Sequence, residues 1–169
     1  LADDMGLGKT LQALALMVKE QRAGAHLVVC PTSVTSNWKE QIERFTPSLQ
    51  ALLYTGKERA ELLSQLQPGQ VIICSYRMLL QDQDKLCHPQ WNLALLDEAQ
   101  YIKNPEAKTS RACFSLKADM RVTTSGTPIE NRLSELWSIF RFLNPGLLGS
   151  LASFRKRFEQ PISEGSSQS

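Results

Sequence analysis

Near its start the chain reads LADDMGLGKT, in which Gly6, Leu7, Gly8, Lys9 and Thr10 have the residue types and order of a phosphate-binding loop. In such a loop, backbone N–H groups cradle phosphate oxygens, the lysine reaches the β/γ oxygens and the threonine hydroxyl holds Mg²⁺. The strict pattern places a further glycine where this chain has Asp3. A second stretch, LALLDEAQ, ends an apolar run in paired carboxylates. That arrangement suits nucleotide hydrolysis, with Asp97 holding Mg²⁺ through water and Glu98 orienting or deprotonating the attacking water. A third, TTSGTPIEN, puts Thr124, Ser125 and Thr127 at the end of another apolar run. If the two runs are neighbours in space, these hydroxyls lie beside Asp97 and Glu98 and could relay nucleotide state to a second surface. Each stretch also has a plainer reading: a Gly-rich helix cap, a solvated acidic turn, and a β-turn before an N-capped helix.

The elements that must position these residues follow from periodicity. Five short apolar runs read as strands: His26 to Cys30, Leu52 to Tyr54, Val71 to Cys74, Leu93 to Asp97 and Arg121 to Ser125. Near-continuous apolar runs fit a parallel sheet covered on both faces. Leu11, Leu14, Ala15 and Val18 form a helical stripe, Val34, Trp38, Ile42 and Phe45 a second, and Leu133, Leu136, Trp137 and Phe140 a third. Alternating strands and helices make a doubly wound α/β architecture, which binds ligands beyond the carboxyl ends of its strands. The polar motifs fall at those ends. Because the first stripe starts directly after Lys9 and Thr10, the loop's N–H groups would sit at a helix N-terminus, where the dipole favours anions.

The 169 residues, 42% of them hydrophobic, suffice for one well-buried core. With 19 Lys+Arg against 17 Asp+Glu the net charge is only +2, so nucleic-acid binding would need a local patch. No long apolar run marks a membrane span or signal peptide. Four cysteines, Cys30, Cys74, Cys87 and Cys113, form no C-x-x-C pair. They read as structural residues of a reduced, cytosolic protein, as do His26 and His88. NPGLLG, from Asn144 to Gly149, separates the body from a terminal helix around Leu151 to Phe158, and SEGSSQS reads as a frayed tail.

Together DDMGLGKT, CPTSVTSNWKEQ, LLDEAQYIKNP and SGTPIENRLSELWSIFRFLNPGLLGS resemble the N-terminal RecA-like lobe of the Swi/Snf-type ATPases, double-stranded DNA translocases of helicase superfamily two. The resemblance covers nearly the whole chain in the family's order and spacing. It implies an α/β RecA-like P-loop fold over residues 1–145, the start of a helical protrusion over 146–162 and a flexible tail over 163–169. It also implies ATP with Mg²⁺, duplex DNA tracked without strand separation, and a second RecA-like lobe in cis. Lys9 and Thr10 match the family's phosphate and Mg²⁺ contacts, and Asp97 and Glu98 its Mg²⁺ ligand and catalytic base. Gln100 departs from the commoner DEAH histidine, yet its amide can still hydrogen-bond to Thr127 or across to another lobe. Acidic residues before G-x-G-K-T are usual in the family, so Asp3 is no anomaly.

By the same resemblance, Pro31, Thr32 and Ser33, and Ser75, Tyr76 and Arg77, fall where the family lays a DNA strand. Lys103 and Asn104 are further candidates, and Arg155, Lys156 and Arg157 belong to the protrusion. These groups suit phosphate and include no base-reading set. The alternatives are an RNA helicase or protein-remodelling NTPase lobe, which SGTPIEN and the long helix after it disfavour, and a nucleotide-independent docking module, which intact Lys9, Thr10, Asp97 and Glu98 disfavour. A second lobe's arginine contributes on the order of 10³ to 10⁵ in rate in phosphoryl transfer, so these residues alone are expected to turn over negligibly. The loop from Asp3 to Gly8 is expected to be mobile or collapsed without nucleotide. DEAQ and the compact connections resemble a prokaryotic branch, implying a cytoplasmic, nucleoid-associated protein; a eukaryotic one would be nuclear.

Overall fold

A computed structural model describes residues 7–126 and 133–165, so Gly6, Thr127 and positions 3–6 of the opening loop lie outside the described residues. Five strands form one sheet in the order β2-β3-β1-β4-β5, with every neighbouring pair parallel. They are β1 (His26–Cys30), β2 (Gln50–Leu53), β3 (Gln70–Ser75), β4 (Gln90–Leu96) and β5 (Lys117–Thr123). Each expected strand is present, β1 with the expected ends and the other four with ends displaced by about one to four residues. The inner strands β1, β3 and β4 are buried almost throughout, because helices cover both faces.

On one face lie α1 (Leu7–Lys19) and α2 (Thr35–Phe45), which pack Leu14, Met17, Trp38 and Ile42 against Val28, Ile73 and Leu95. The other face carries α4 (Tyr76–Gln81), α5 (Gln83–Leu86), α6 (Lys108–Phe114) and α7 (Leu133–Leu143), preceded by the short α3 (Glu61–Ser64). There Tyr76, Leu79, Leu86, Cys113 and Phe142 bury Leu27, Ile72, Trp91 and Leu96. The chain runs from β1 toward β2 over the first face, and crosses back from β3 to β4 over the second. Adjacent β1 and β4 therefore send their connections in opposite directions, which makes a crevice at their carboxyl ends.

The buried stripe of α1 differs from the expected one. Lys9, Ala13, Leu14 and Met17 face inward, while Leu11 and Ala15 are exposed. LGKTLQALALMVK is apolar around most of its circumference, so periodicity alone did not select the face. The consequence is functional: Lys9 shares the face that packs on the sheet. In α2, Trp38 and Ile42 are buried as expected, but Phe45 is exposed beneath the Arg44 guanidinium. In α7 the buried residues are Trp137, Ser138 and Phe142, because β5, α6 and the final helix α8 (Leu151–Gly165) pack on different sides of it. Arg121 of β5 donates to the carbonyls of Phe142 (3.3 Å) and Leu116 (2.7 Å), closing the last turn of α7 with a cation. α8 runs past Phe158 to Gly165.

All four cysteines are free. Burial, with Asp97 nearby, pushes the Cys30 thiol up to about 12, and burial pushes Cys87 up to about 11; Cys74 and Cys113 are raised too. None is a thiolate at neutral pH, and among the described residues no group of His, Cys, Asp and Glu could cage a metal by itself.

His26, at the start of β1, is fully buried. Its Nε2–H donates to the Met17 carbonyl (3.0 Å), tying β1 to α1, and its Nδ1 has no partner. Burial lowers its pKa below the usual value, against the pull of the Met17 carbonyl and the Glu20 carboxylate. Below about pH 6.5 the unfolded chain takes up a proton that the folded ring refuses, so stability falls with pH until the folded ring itself protonates. Urea unfolding between pH 7 and 5 should show this decline, and His26→Gln, which keeps a donor for Met17 but does not titrate, should flatten it.

Candidate functional site

The site forms where the carboxyl ends of β4 and β5 meet the first turn of α1. Two contacts fix α1 at its far end. Asn92 of β4 donates Nδ2–H to the Glu20 carbonyl (2.9 Å), and Gly24 passes so close that a Cβ there would lie 3.1 Å from that of Asn92. With α1 anchored, Lys9 on its buried face reaches over the sheet, and its Nζ donates to the Ser125 carbonyl (2.9 Å). Lys9, Thr10, Asp97, Glu98, Thr124, Ser125 and Gly126 line one cleft of ≈ 200 Å³. Residues from three separated stretches of sequence thus share one concave surface.

Asp97 follows β4 and continues its ladder, donating its own N–H to Val29 of β1 (2.8 Å). Three donors hold its carboxylate. Thr124 Oγ1 (2.6 Å) and the Glu98 N–H (3.0 Å) donate to Oδ1, and Trp38 Nε1 (2.9 Å) donates to Oδ2. A carboxylate accepts at about four lone-pair positions, so among the described residues a position on Oδ2 remains open. Tyr76 donates its hydroxyl to the main-chain carbonyl of the same residue (2.6 Å).

Glu98 adopts a left-handed backbone conformation, φ 54 and ψ 62, the one described non-glycine residue with positive φ. The 3-10 turn Ala99–Ile102 starts at once, and the Ala99 N–H pairs with the Thr124 carbonyl (2.9 Å). Gln100 donates Nε2–H to Glu98 Oε2 (2.5 Å), while Ser125 Oγ donates to Gln100 Oε1 (3.3 Å). An amide therefore bridges the β4 and β5 loops, as a group with both donor and acceptor ends can.

The residues expected to face DNA separate into two sets. Thr32, Ser33, Arg77 and Lys103 are exposed, and Pro31 is half-buried. Ser75 and Tyr76 are buried and use their hydroxyls internally: Ser75 Oγ caps α4 by accepting from the Met78 N–H (3.1 Å), and Tyr76 reaches Asp97. Beside them a groove of ≈ 340 Å³ runs along the ends of β1, β2 and β3, lined by Thr32, Thr35, Ser36, Ser75, Arg77 and Met78 among others. Tyr101 stacks on Tyr76 with centroids 4.6 Å apart and leaves an open face to solvent. Asn104 is exposed and caps its own loop, accepting from the Glu106 N–H at Oδ1 (3.0 Å); Arg155, Lys156 and Arg157 are exposed on α8. The contact that sequence reasoning missed is the one from Trp38. Its helical spacing signalled burial, and nothing in periodicity indicates where an indole N–H points.

A parallel five-stranded α/β sheet with a lysine-bearing helix start facing an acidic strand end defines a RecA-like nucleotide-binding domain. The particular family follows from comparison: the family model described as SNF2-related domain matches residues 1–169, and this chain belongs to that family. It is 44% identical over 169 residues to the putative ATP-dependent helicase/translocase YwqA of Bacillus subtilis, covering 96% of this chain and 18% of that protein. It is 36% identical over 173 residues to the human DNA repair and recombination protein RAD54B, covering 96% of this chain and 19% of that protein. The Sulfolobus solfataricus SWI2/SNF2 ATPase core in complex with dsDNA superposes with TM-score 0.86 at 43% identity, over 97% of this chain and 35% of that one. The chain thus spans a fifth or less of these two relatives and about a third of the solved core.

Thr124→Val keeps the side-chain shape but leaves Asp97 Oδ1 with the Glu98 N–H alone. A hydrogen bond to a charged group contributes about 1.5–3 kcal/mol, so chemical denaturation should show a loss of that order.

Proposed function

We propose that this chain is the first ATPase lobe of an ATP-driven double-stranded DNA translocase or remodeller. The observation that supports it most directly is the shared cleft, which sets Lys9 and Thr10 opposite Asp97 and Glu98. A hydroxyl and a carboxylate with an open lone-pair position are hard oxygen donors of the kind Mg²⁺ takes. Thr10 and Asp97 would hold that ion, which would supply positive charge to neutralise the phosphates. Lys9 binds the phosphates of ATP, leaving the Ser125 carbonyl for a charge of opposite sign. Leu7 and Gly8 contribute N–H groups at the start of α1, and Gly6 belongs to the same phosphate-binding motif by sequence. Glu98, aimed into the cleft by its left-handed backbone, orients the attacking water and accepts its proton.

Gln100 holds Glu98 through one end of its amide and Ser125 through the other. A shift of the β5 loop therefore moves the base, and Thr124, Ser125 and Thr127 form the coupling segment. A second RecA-like lobe in cis completes the nucleotide site from the open side of the cleft. Duplex DNA lies along the groove, with Thr32, Ser33, Arg77 and Lys103 on its phosphates, and Pro31, Ser75 and Tyr76 shaping the loops beneath them. That the Sulfolobus core was solved in complex with dsDNA supports duplex over RNA. Identities of 44% and 43% to the bacterial and archaeal proteins, against 36% to human RAD54B, support a prokaryotic, cytoplasmic and nucleoid-associated member. Among the described residues no helix is long and apolar enough to cross a membrane.

In the protein carrying both lobes, Glu98→Gln should retain ATP binding and lose hydrolysis, whereas Lys9→Ala should lose both; near-normal turnover by Glu98→Gln would refute the assignment of the base. Duplex affinity should fall with salt at a log–log slope of about 0.9 per phosphate neutralised. Arg77→Ala should weaken binding alike across sequences and reduce that slope by about one.

A further inference from the structure

We infer that Trp38 is a positioning residue that couples the duplex-facing segment after β1 to the Asp97 carboxylate through its indole N–H. The inference rests on the functional reading above and adds to it the route by which duplex DNA changes the nucleotide site.

The route is short and stiff. Exposed Thr32 and Ser33 form a 3-10 turn, Thr32–Val34, that runs directly into α2. Thr35 Oγ1 donates to the Thr32 carbonyl (3.0 Å), fastening that turn to the helix. Trp38 follows within the first turns of α2, is 4% exposed, and donates Nε1–H to Asp97 Oδ2 (2.9 Å). The indole has one donor and no acceptor, so this is the single polar contact it can make. Oδ2 is the oxygen with an open position, since Oδ1 already accepts from Thr124 and the Glu98 N–H. A displacement of the Thr32 turn carried by α2 therefore turns the carboxylate at Oδ2, the oxygen with the open position.

A second contact converges on the same residue. Tyr76, beside exposed Arg77, donates its hydroxyl to the Asp97 main-chain carbonyl (2.6 Å) and fixes the backbone against which the carboxylate turns. The two loops flanking the groove thus both end on Asp97. Coupling between two binding sites is reciprocal, so ATP must change duplex affinity by the factor by which duplex changes ATP affinity.

The test uses the protein carrying both lobes and a fluorescent 30-bp duplex, with anisotropy read with and without a non-hydrolysable ATP analogue and Mg²⁺. Trp38→Phe keeps an apolar ring and removes the donor. It should leave the nucleotide-free duplex Kd within about threefold of wild type while the ratio of Kd values with and without analogue collapses toward one, from the roughly 5–150-fold typical of coupled sites. The Mg²⁺ concentration for half-maximal analogue binding should rise about tenfold or more. Should Trp38→Phe fold poorly, benzothienylalanine at position 38, which keeps the bicyclic volume and lacks the N–H, should give the same collapse. Ile42→Val, a packing change in the same helix, should lower Tm without altering the ratio. A wild-type ratio in either position-38 variant, or an equal loss in Ile42→Val, would overturn the inference alone. Failure of the wild-type protein to bind duplex would overturn the functional reading and the inference with it.

Discussion

The Asp97 carboxylate, and the three donors that hold it, is the interaction on which the rest of the arrangement depends. A partly buried carboxylate is costly unless hydrogen bonds compensate it. Here the donors come from α2, from the end of β5 and from the next residue of the chain. These can meet only if β1, β4 and β5 are adjacent, parallel and in register, as they are from His26 opposite Leu93 to Leu96 opposite Thr123. α2 must also leave β1 on the face where α1 lies. The sheet order is therefore a condition for the cluster.

Glu98 shows what the cluster maintains. Left-handed backbone in a non-glycine residue costs roughly 1–3 kcal/mol and persists where its surroundings over-determine it. Its N–H is held by Asp97 Oδ1, the following N–H by the Thr124 carbonyl, and its carboxylate by Gln100. A relaxed residue would extend the strand and carry the side chain away from Lys9. Local strain is balanced by hydrogen bonds from Asp97, Gln100 and, across from β5, Thr124, so the β4 and β5 loops act as one unit.

Much of this was legible in the sequence, for identifiable reasons. The strands are short apolar runs in a chain with polar punctuation, and being buried on both faces made them easy to locate. Asp97, Glu98, Thr124 and Ser125 were legible because doubly wound sheets put function at strand ends, and these residues interrupt apolar runs there. The face of α1 was not legible, since Leu11 and Ala15 satisfy a helical stripe as well as Ala13 and Met17 do. Whether Tyr76 faces solvent or Asp97 was equally hidden: a tyrosine after a strand suits phosphate contact and burial alike, and the topology that brings β3 beside β1 decides it. The indole of Trp38 had no signal at all, because an inward aromatic at helical spacing is fully explained by packing.

The parallel sheet also explains why two functions share one edge. With every strand pointing the same way, all the strand-to-helix loops open on that edge. The cleft occupies the ends of β4 and β5, and the groove those of β1, β2 and β3. Between them stands the boundary of β1 and β4, where the connections diverge onto opposite faces. Trp38 comes to that boundary from the α2 face and Tyr76 from the α4 face, and both end on Asp97. A rigid sheet would otherwise insulate one half of the edge from the other, because its strands cannot slide without breaking the ladder. Side chains that cross the boundary are the remaining means of communication, and they are mounted on loops and helix starts, which can move while the ladder stays intact.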